Sequence, residues 1–317
     1  MKRVAILTSI VLALAVSAMA DPLAGEVAKF MQVPMINTPI NGAIYFGHDE
    51  ISTATSALTA PGQYQGTSWM ADDFSDYNSN PVVHVQWWGS YLQGNPGTVP
   101  QFLIEFLSDN PGALTGTFST PNAPILSQVV TTGALAPGSG TFTEKLVGGS
   151  AAQPVFVYNA ELKIPFQEVP KTVYWLKIVA LTPSPSTLWG WHNRDYTIPD
   201  PLAAVVPDVI PGESMVGTIP GTPTPIWHFQ DDAVQGSSIL VGVDSAGNIT
   251  SLQEDLAAAR PTNYVDNIDG PGPSPATGFP GIGAYSKDLA FALYTVPEPV
   301  TLSLLALGGL ALLRRRK

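Results

Sequence analysis

Between residues 82 and 295 the apolar positions come in short bursts of β-branched and aromatic side chains, separated by clusters of Pro, Gly, Asn, Asp and Ser. That pattern predicts strands rather than helices. The clearest runs are Val82 to Trp88, continuing through Tyr91, and Gln101 to Leu107, closed by the turn signal Asp109-Asn110-Pro111-Gly112. The Gly94-Asn95-Pro96-Gly97 loop between them predicts that these two strands are antiparallel neighbours. Further strands are expected over 155–166, 172–181, 187–192, 225–230, 238–243 and 288–295. From Tyr158 to Ile164 apolar and polar residues alternate, the period-2 signature of a strand with one wet face. Tyr174 to Leu181 is almost uniformly apolar and reads as central in its sheet. Helix formers gather in two places, Pro22 to Gln32 and Ser251 to Arg260, and the second suits a loop equally well. With no βαβ alternation, the expected fold is all-β: one antiparallel sandwich or jelly-roll-like domain.

The two ends follow a different pattern. Lys2 and Arg3 precede 13 mostly apolar residues, Val4 to Val16, and Ala18-Met19-Ala20 places small residues at Ala18 and Ala20, where a signal peptidase reads them. This predicts a secretory signal over 1–20, cut after Ala20; an uncleaved anchor is the alternative, although the run is short for a span. At the other end, Val296-Pro297-Glu298-Pro299 is followed by 14 residues, Val300 to Leu313, without a charge, and then by Arg314-Arg315-Arg316-Lys317. The prolines break any helix from the body, so a hydrophobic helix starts cleanly behind them. At about 1.5 Å per residue it reaches roughly 21 Å, short of a full hydrocarbon core. Its basic end is expected to stay cytoplasmic. The chain thus divides into a signal helix (1–20), a body (21–295) and a tail (296–317).

Setting those ends aside changes the charge. The full chain carries 14 basic and 25 acidic residues, net −11, whereas the body carries 8 and 24, net −16. Such a surface is repelled by phosphate backbones, which argues against nucleic-acid partners. Cysteine is absent, which excludes disulfides, thiol catalysis and thiolate metal sites. A body of this length can form a self-sufficient core without them. The four histidines, His48, His84, His192 and His228, have no short spacing of the kind zinc sites use, so no zinc site is expected.

The tail, with Pro297-Glu298-Pro299, a short apolar helix and a basic end, closely resembles the PEP-CTERM sorting signal of Gram-negative bacteria. The apolar and basic parts alone fit an ordinary C-terminal anchor as well; Pro-Glu-Pro favours the sorting signal. The resemblance implies that an exosortase, a membrane protease-transpeptidase, reads Pro297, Glu298 and Pro299 and removes the tail. A transient inner-membrane stage would then end at the cell surface or in the secreted matrix. A weaker likeness runs through the body, over Trp69 to Phe74, Trp87-Trp88-Gly89-Ser90, Ile104 to Pro111, Tyr174-Trp175-Leu176, Trp189-Gly190-Trp191, and Trp227 with Asp231 to Val234. There the chain resembles an uncharacterised family of secreted bacterial domains, which implies a β-sandwich and transfers no functional residue.

Candidate chemistry is sparse. Asp72-Asp73 and Asp231-Asp232 would supply oxygen ligands to a structural Ca²⁺ if they met in space; solvated or turn-capping carboxylates explain them equally. No other cofactor is expected. Trp87, Trp88, Trp189 and Trp191 suit a glycan-stacking platform or, alternatively, a core, with Trp87 and Trp88 on opposite faces. There is no nucleophile elbow, no His-Glu-x-x-His and no phosphate loop. A two-carboxylate hydrolase needs no local motif, so Glu105 and Glu161 stay in view. Three readings follow: a structural or adhesive, non-catalytic surface protein; a carbohydrate-binding module whose partner is extracellular polysaccharide; and a glycan hydrolase. Signal peptidase and the exosortase are the processing partners.

Overall fold

The computed structural model describes residues 22–40, 43–56, 62–76, 78–92, 97–111, 119–150, 154–195, 215–218, 225–227, 233–261 and 288–297. In chain order the strands are β1 (Val27–Gln32), β2 (Thr38–Ile40), β3 (Ala43–Tyr45), β4 (Asp49–Ile51), β5 (Thr53–Ser56), β6 (Gln63–Phe74) and β7 (Val82–Tyr91). There follow β8 (Gln101–Asn110), β9 (Thr120–Thr132), β10 (Thr141–Gly149), β11 (Pro154–Phe166), β12 (Tyr174–Thr182) and β13 (Trp189–His192). The last are β14 (Met215–Thr218), β15 (Pro225–Trp227), β16 (Val234–Gly236), β17 (Ile239–Val243), β18 (Ile249–Glu254), β19 (Arg260–Pro261) and β20 (Phe291–Thr295). The protein is all-β, and sixteen of these strands join in one mixed sheet.

That sheet returns to itself. From β7 the hydrogen-bonded order runs β11, β10, β9, β8, β12, β5. β5 continues back through Ser52 into β4, which pairs with β13, and β13 pairs with β7. Ser52 N–H donating to Trp189 O at 3.2 Å ties the joint. Inside the ring lies an aromatic core. Trp87 stacks on Tyr158 with centroids 5.4 Å apart, Phe102 meets Trp87, Phe142 and Trp189 edge-on at 5.0 Å each, and Trp189 Nε1–H donates to Tyr158 Oη at 3.1 Å. Gly89 on β7 makes this possible, since a Cβ there would collide with the Trp189 ring and Gly190 O.

A second apolar cluster packs on the other face of β6, β8 and β12, built from Trp69, Leu103, Leu107, Trp175, Val179 and Leu181 and covered by Ile239 and Val241 of β17. β8 and β12 are therefore buried on both faces, which explains the unbroken apolar run at Tyr174 to Leu181.

Several expectations are corrected. β7 and β8 are not sheet neighbours; they face each other across the core, because β7 pairs with β11, β13 and β20 while β8 pairs with β9 and β12. The expected all-antiparallel arrangement gives way to a mixed sheet, with β5–β12 and β9–β10 parallel. Pro22 to Gln32 contains a strand, β1, drawn into extended form by pairing with β20 and by burial of Phe30. Ser251 to Arg260 forms the end of β18 and a single 3₁₀ turn, Leu256–Ala258, capped by the Asp255 carboxylate. β9 and β10 are strands that the turn-rich composition hid. Pro121 and Pro124 are tolerated at the start of β9 because β10 pairs with β9 only at Thr131 and Thr132. No helix among the described residues is long and apolar enough to cross a membrane. The expected signal helix and tail helix lie outside the described residues.

Candidate metal centre and buried charge clusters

β7 and β11 lie side by side with His84 opposite Glu161 and Gln86 opposite Asn159. Their alternation sends Val85, Trp87, Tyr158 and Ala160 into the core and the four polar residues to the other face. That face is not wet: all four polar side chains are buried. The expectation of one solvated face is corrected at Asn159 and Glu161 and holds at Lys163, which is exposed; His84, Gln86 and Asn159 find partners in one another, whereas Glu161 Oε1 has no well-directed hydrogen bond.

Glu26 enters from the tight turn ahead of β1, where its Oε2 also accepts from Leu23 N–H at 2.9 Å. His84 Nδ1 lies 2.9 Å from Glu26 Oε2 and 3.1 Å from Glu161 Oε1. On the far side of the ring, His84 Nε2 lies 3.2 Å from Asn159 Oδ1, which also accepts from Gln86 Nε2–H at 2.8 Å. Gln86 Oε1 in turn accepts from Tyr294 O–H at 3.3 Å. This chain of donors fixes the amide orientations and makes Nε2 a donor.

Burial alone would push His84 down, but hydrogen bonds and charges from Glu161 and Glu26 outweigh it and raise the imidazole to about 8. Burial also pushes Glu161 up, and its net shift is upward, whereas His84 overcomes the same effect at Glu26 and lowers it. The three side chains place one nitrogen and two carboxylate oxygens within 4.8 Å of one another, a donor set able to hold a metal ion.

Residues 28–227 match a family model described as Domain of unknown function (DUF7901). The chain belongs to this family. No curated protein and no solved structure matches it. The matched span of the DUF7901 domain ends before β16 to β20, yet β20 sits between β1 and β7 and contributes Phe291 and Leu293 to the core. Within the cluster, His84 and Glu161 fall inside the DUF7901 match and Glu26 just outside it.

The other candidate residues are dispersed through this DUF7901 chain. Trp87, Trp88, Trp189 and Trp191 are 0, 2, 0 and 0% exposed, so no ring face is offered to a sugar and the stacking platform is withdrawn. Trp87 and Trp88 do occupy opposite faces, Trp88 packing on Val155, Val157 and Ala290. Asp72 and Asp73 likewise point to opposite faces of β6. Asp72 accepts from Leu289 N–H at 2.6 Å and is held well above the usual carboxylate range by burial and by Asp288, which pairs with Arg194 at 3.0 Å. Asp231 and Asp232 lie outside the described residues; β16, just after them, begins with Val234 opposite Ala71 of β6. Pro297 is described, while Glu298, Pro299 and the cleavage-site residues Ala18 and Ala20 are not. Glu105, weighed for hydrolysis, is buried against Lys177, which also contacts Glu254 and lies 4.7 Å over the Trp69 ring. Burial lowers Lys177, and Glu105 partly offsets it.

Nothing local marks the His84 cluster, because its members stand 58 and 77 residues apart. The one legible signal is that polar His84 and Gln86, and polar Asn159 and Glu161, alternate with apolar residues inside two of the most strongly β-forming runs in the chain.

Proposed function

We propose that this chain is an exported protein, sorted through its Pro297-Glu298-Pro299 tail by an exosortase-type protease-transpeptidase, whose body serves a structural or adhesive, non-catalytic role at the surface or in the matrix of a Gram-negative bacterium. The sorting half rests on the succession of Pro297-Glu298-Pro299, an apolar run and a basic end in the sequence, and the signal sequence at residues 1–20 supports export. The structural half is carried by one observation: the aromatic and acidic residues that offered binding or hydrolysis are spent on the interior. The four tryptophans pack inside, and Glu105 and Glu161 are committed to Lys177 and His84. Trp87 packing over Phe102 across the core supports a sandwich-like body.

Intact-mass measurement of the exported protein tests the reading. The expected mature form lacks residues 1–20 and ends near Pro297 to Pro299. A mature form that retains Arg314 overturns the sorting claim, and specific retention of the mature protein on a polysaccharide array replaces the structural role of the body with a carbohydrate-binding one.

A further inference from the structure

We propose that Glu26, His84 and Glu161 bind one divalent first-row transition ion, such as Zn²⁺ or Mn²⁺, through His84 Nδ1 and one oxygen from each glutamate. The far side of the ring fixes the tautomer of His84. Asn159 Oδ1 is an acceptor, occupied by Gln86 Nε2–H, so His84 Nε2 must present its hydrogen there. Nδ1 of a neutral ring would then aim a bare lone pair at two carboxylate oxygens 2.9 and 3.1 Å away. A buried site holds three electron-rich atoms together only with a proton or a metal ion among them.

A proton on Nδ1 satisfies only part of that demand. It makes a well-directed hydrogen bond to Glu26 Oε2 and leaves Glu161 Oε1, 3.1 Å from the same nitrogen and 1% exposed, with at most a bent share of that one proton. One metal ion satisfies all three atoms at once. The spacing also suits the ion. Ligands about 2.1 Å from a metal stand about 3.0 Å apart in an octahedral site and about 3.4 Å apart in the tetrahedral one zinc prefers, so the observed 2.9 and 3.1 Å match the first directly and the second after the carboxylates move back by a few tenths of an ångström. Ca²⁺ takes longer bonds and oxygen ligands alone, so the imidazole selects against it. Asn159, backed by Gln86 and Tyr294, provides the outer hydrogen bond that metal-bound imidazoles typically make. The His84 ring is 5.0 Å from that of Tyr294, which limits its rotation.

The test uses the full chain, stripped with a chelator and then titrated separately with Zn²⁺, Mn²⁺, Co²⁺ and Ca²⁺. Bound metal is counted by elemental mass spectrometry, and thermal unfolding is followed in parallel. The expected result is one transition ion per chain, an elevated melting temperature, and visible ligand-field bands with Co²⁺ that report nitrogen–oxygen coordination. Glu26→Gln and Glu161→Gln each weaken binding by at least about tenfold. Glu26 lies on a turn outside the sheet, so its variant keeps the far-ultraviolet spectrum even if the Glu161 variant does not fold. Substoichiometric metal, Ca²⁺ binding in preference to the transition ions, or full affinity in a folded Glu26→Gln chain each overturn the proposal. None of these readouts depends on export or tail processing.

Discussion

The two faces of β7 and β11 make the most instructive contrast in the molecule. One face contributes Val85, Trp87, Tyr158 and Ala160 to an aromatic core; the other carries His84, Gln86, Asn159 and Glu161. Both are buried. On the apolar face stability comes from area and close packing, which tolerate many side chains of similar volume. On the polar face every group needs a partner of the right sign and direction, so the residues are bound to one another rather than to a generic environment. Burial thus has different consequences on the two sides of one ribbon: the first makes the fold, and the second makes a site.

The contrast breaks most severely at Trp87. Trp87→Ala removes a ring held between Tyr158 and Phe102, and denaturant unfolding is expected to register a loss of about 3–5 kcal/mol. The polar face gives the next largest effect, and its signature is pH rather than volume. In metal-free protein the His84 imidazole is raised from its ordinary 6.5 to about 8 by Glu161 and Glu26 acting against burial. A raised histidine stabilises the fold fully below pH 6.5, and that contribution fades as pH rises through about 8. It amounts to about 2 kcal/mol, and a plot of unfolding free energy against pH checks it. His84→Gln should flatten that slope, while Trp87→Ala should leave it unchanged. The smallest effect belongs to a surface that neither face uses. Leu146 on β10 is 59% exposed, so Leu146→Thr should shift the unfolding midpoint by no more than about 0.5 kcal/mol.

Much of the strand content was legible. The runs that became β7, β8, β11, β12, β13, β17 and β20 are dense in β-branched and aromatic residues, and that density is a local property. Pairing was less legible. The loop between β7 and β8 suggested a hairpin, yet the two strands oppose each other across the core, because β11 on one edge of β7 and β13 and β20 on the other took its pairing positions, with β13 closing the ring. β1 resembled a helix until β20, more than 250 residues later, gave it an edge to join. β9 and β10 were masked by proline and glycine: Pro121 and Pro124 lie where β9 pairs with β8 but not with β10, and Gly148 and Gly149 sit at the bulged end of β10 against β11. The cluster of Glu26, His84 and Glu161 was hidden by its spacing, since no rule of sequence distance joins positions 58 and 77 residues apart.

What the amino-acid sequence by itself determined is local: the strand-forming bursts, the alternation that separates two faces of each strand, the absence of thiol chemistry and the distinct character of the two ends. Backbone geometry enforces those properties over a few residues, so they survive without knowledge of neighbours. The tertiary structure alone decided which strands pair, that the alternating polar face of β7 and β11 would be covered, and that Glu26 would reach His84. Alternation says only that two faces differ. Whether the polar one meets water or protein depends on chain segments far away in sequence, and here they bring His84 Nδ1 within about 3 Å of two carboxylates.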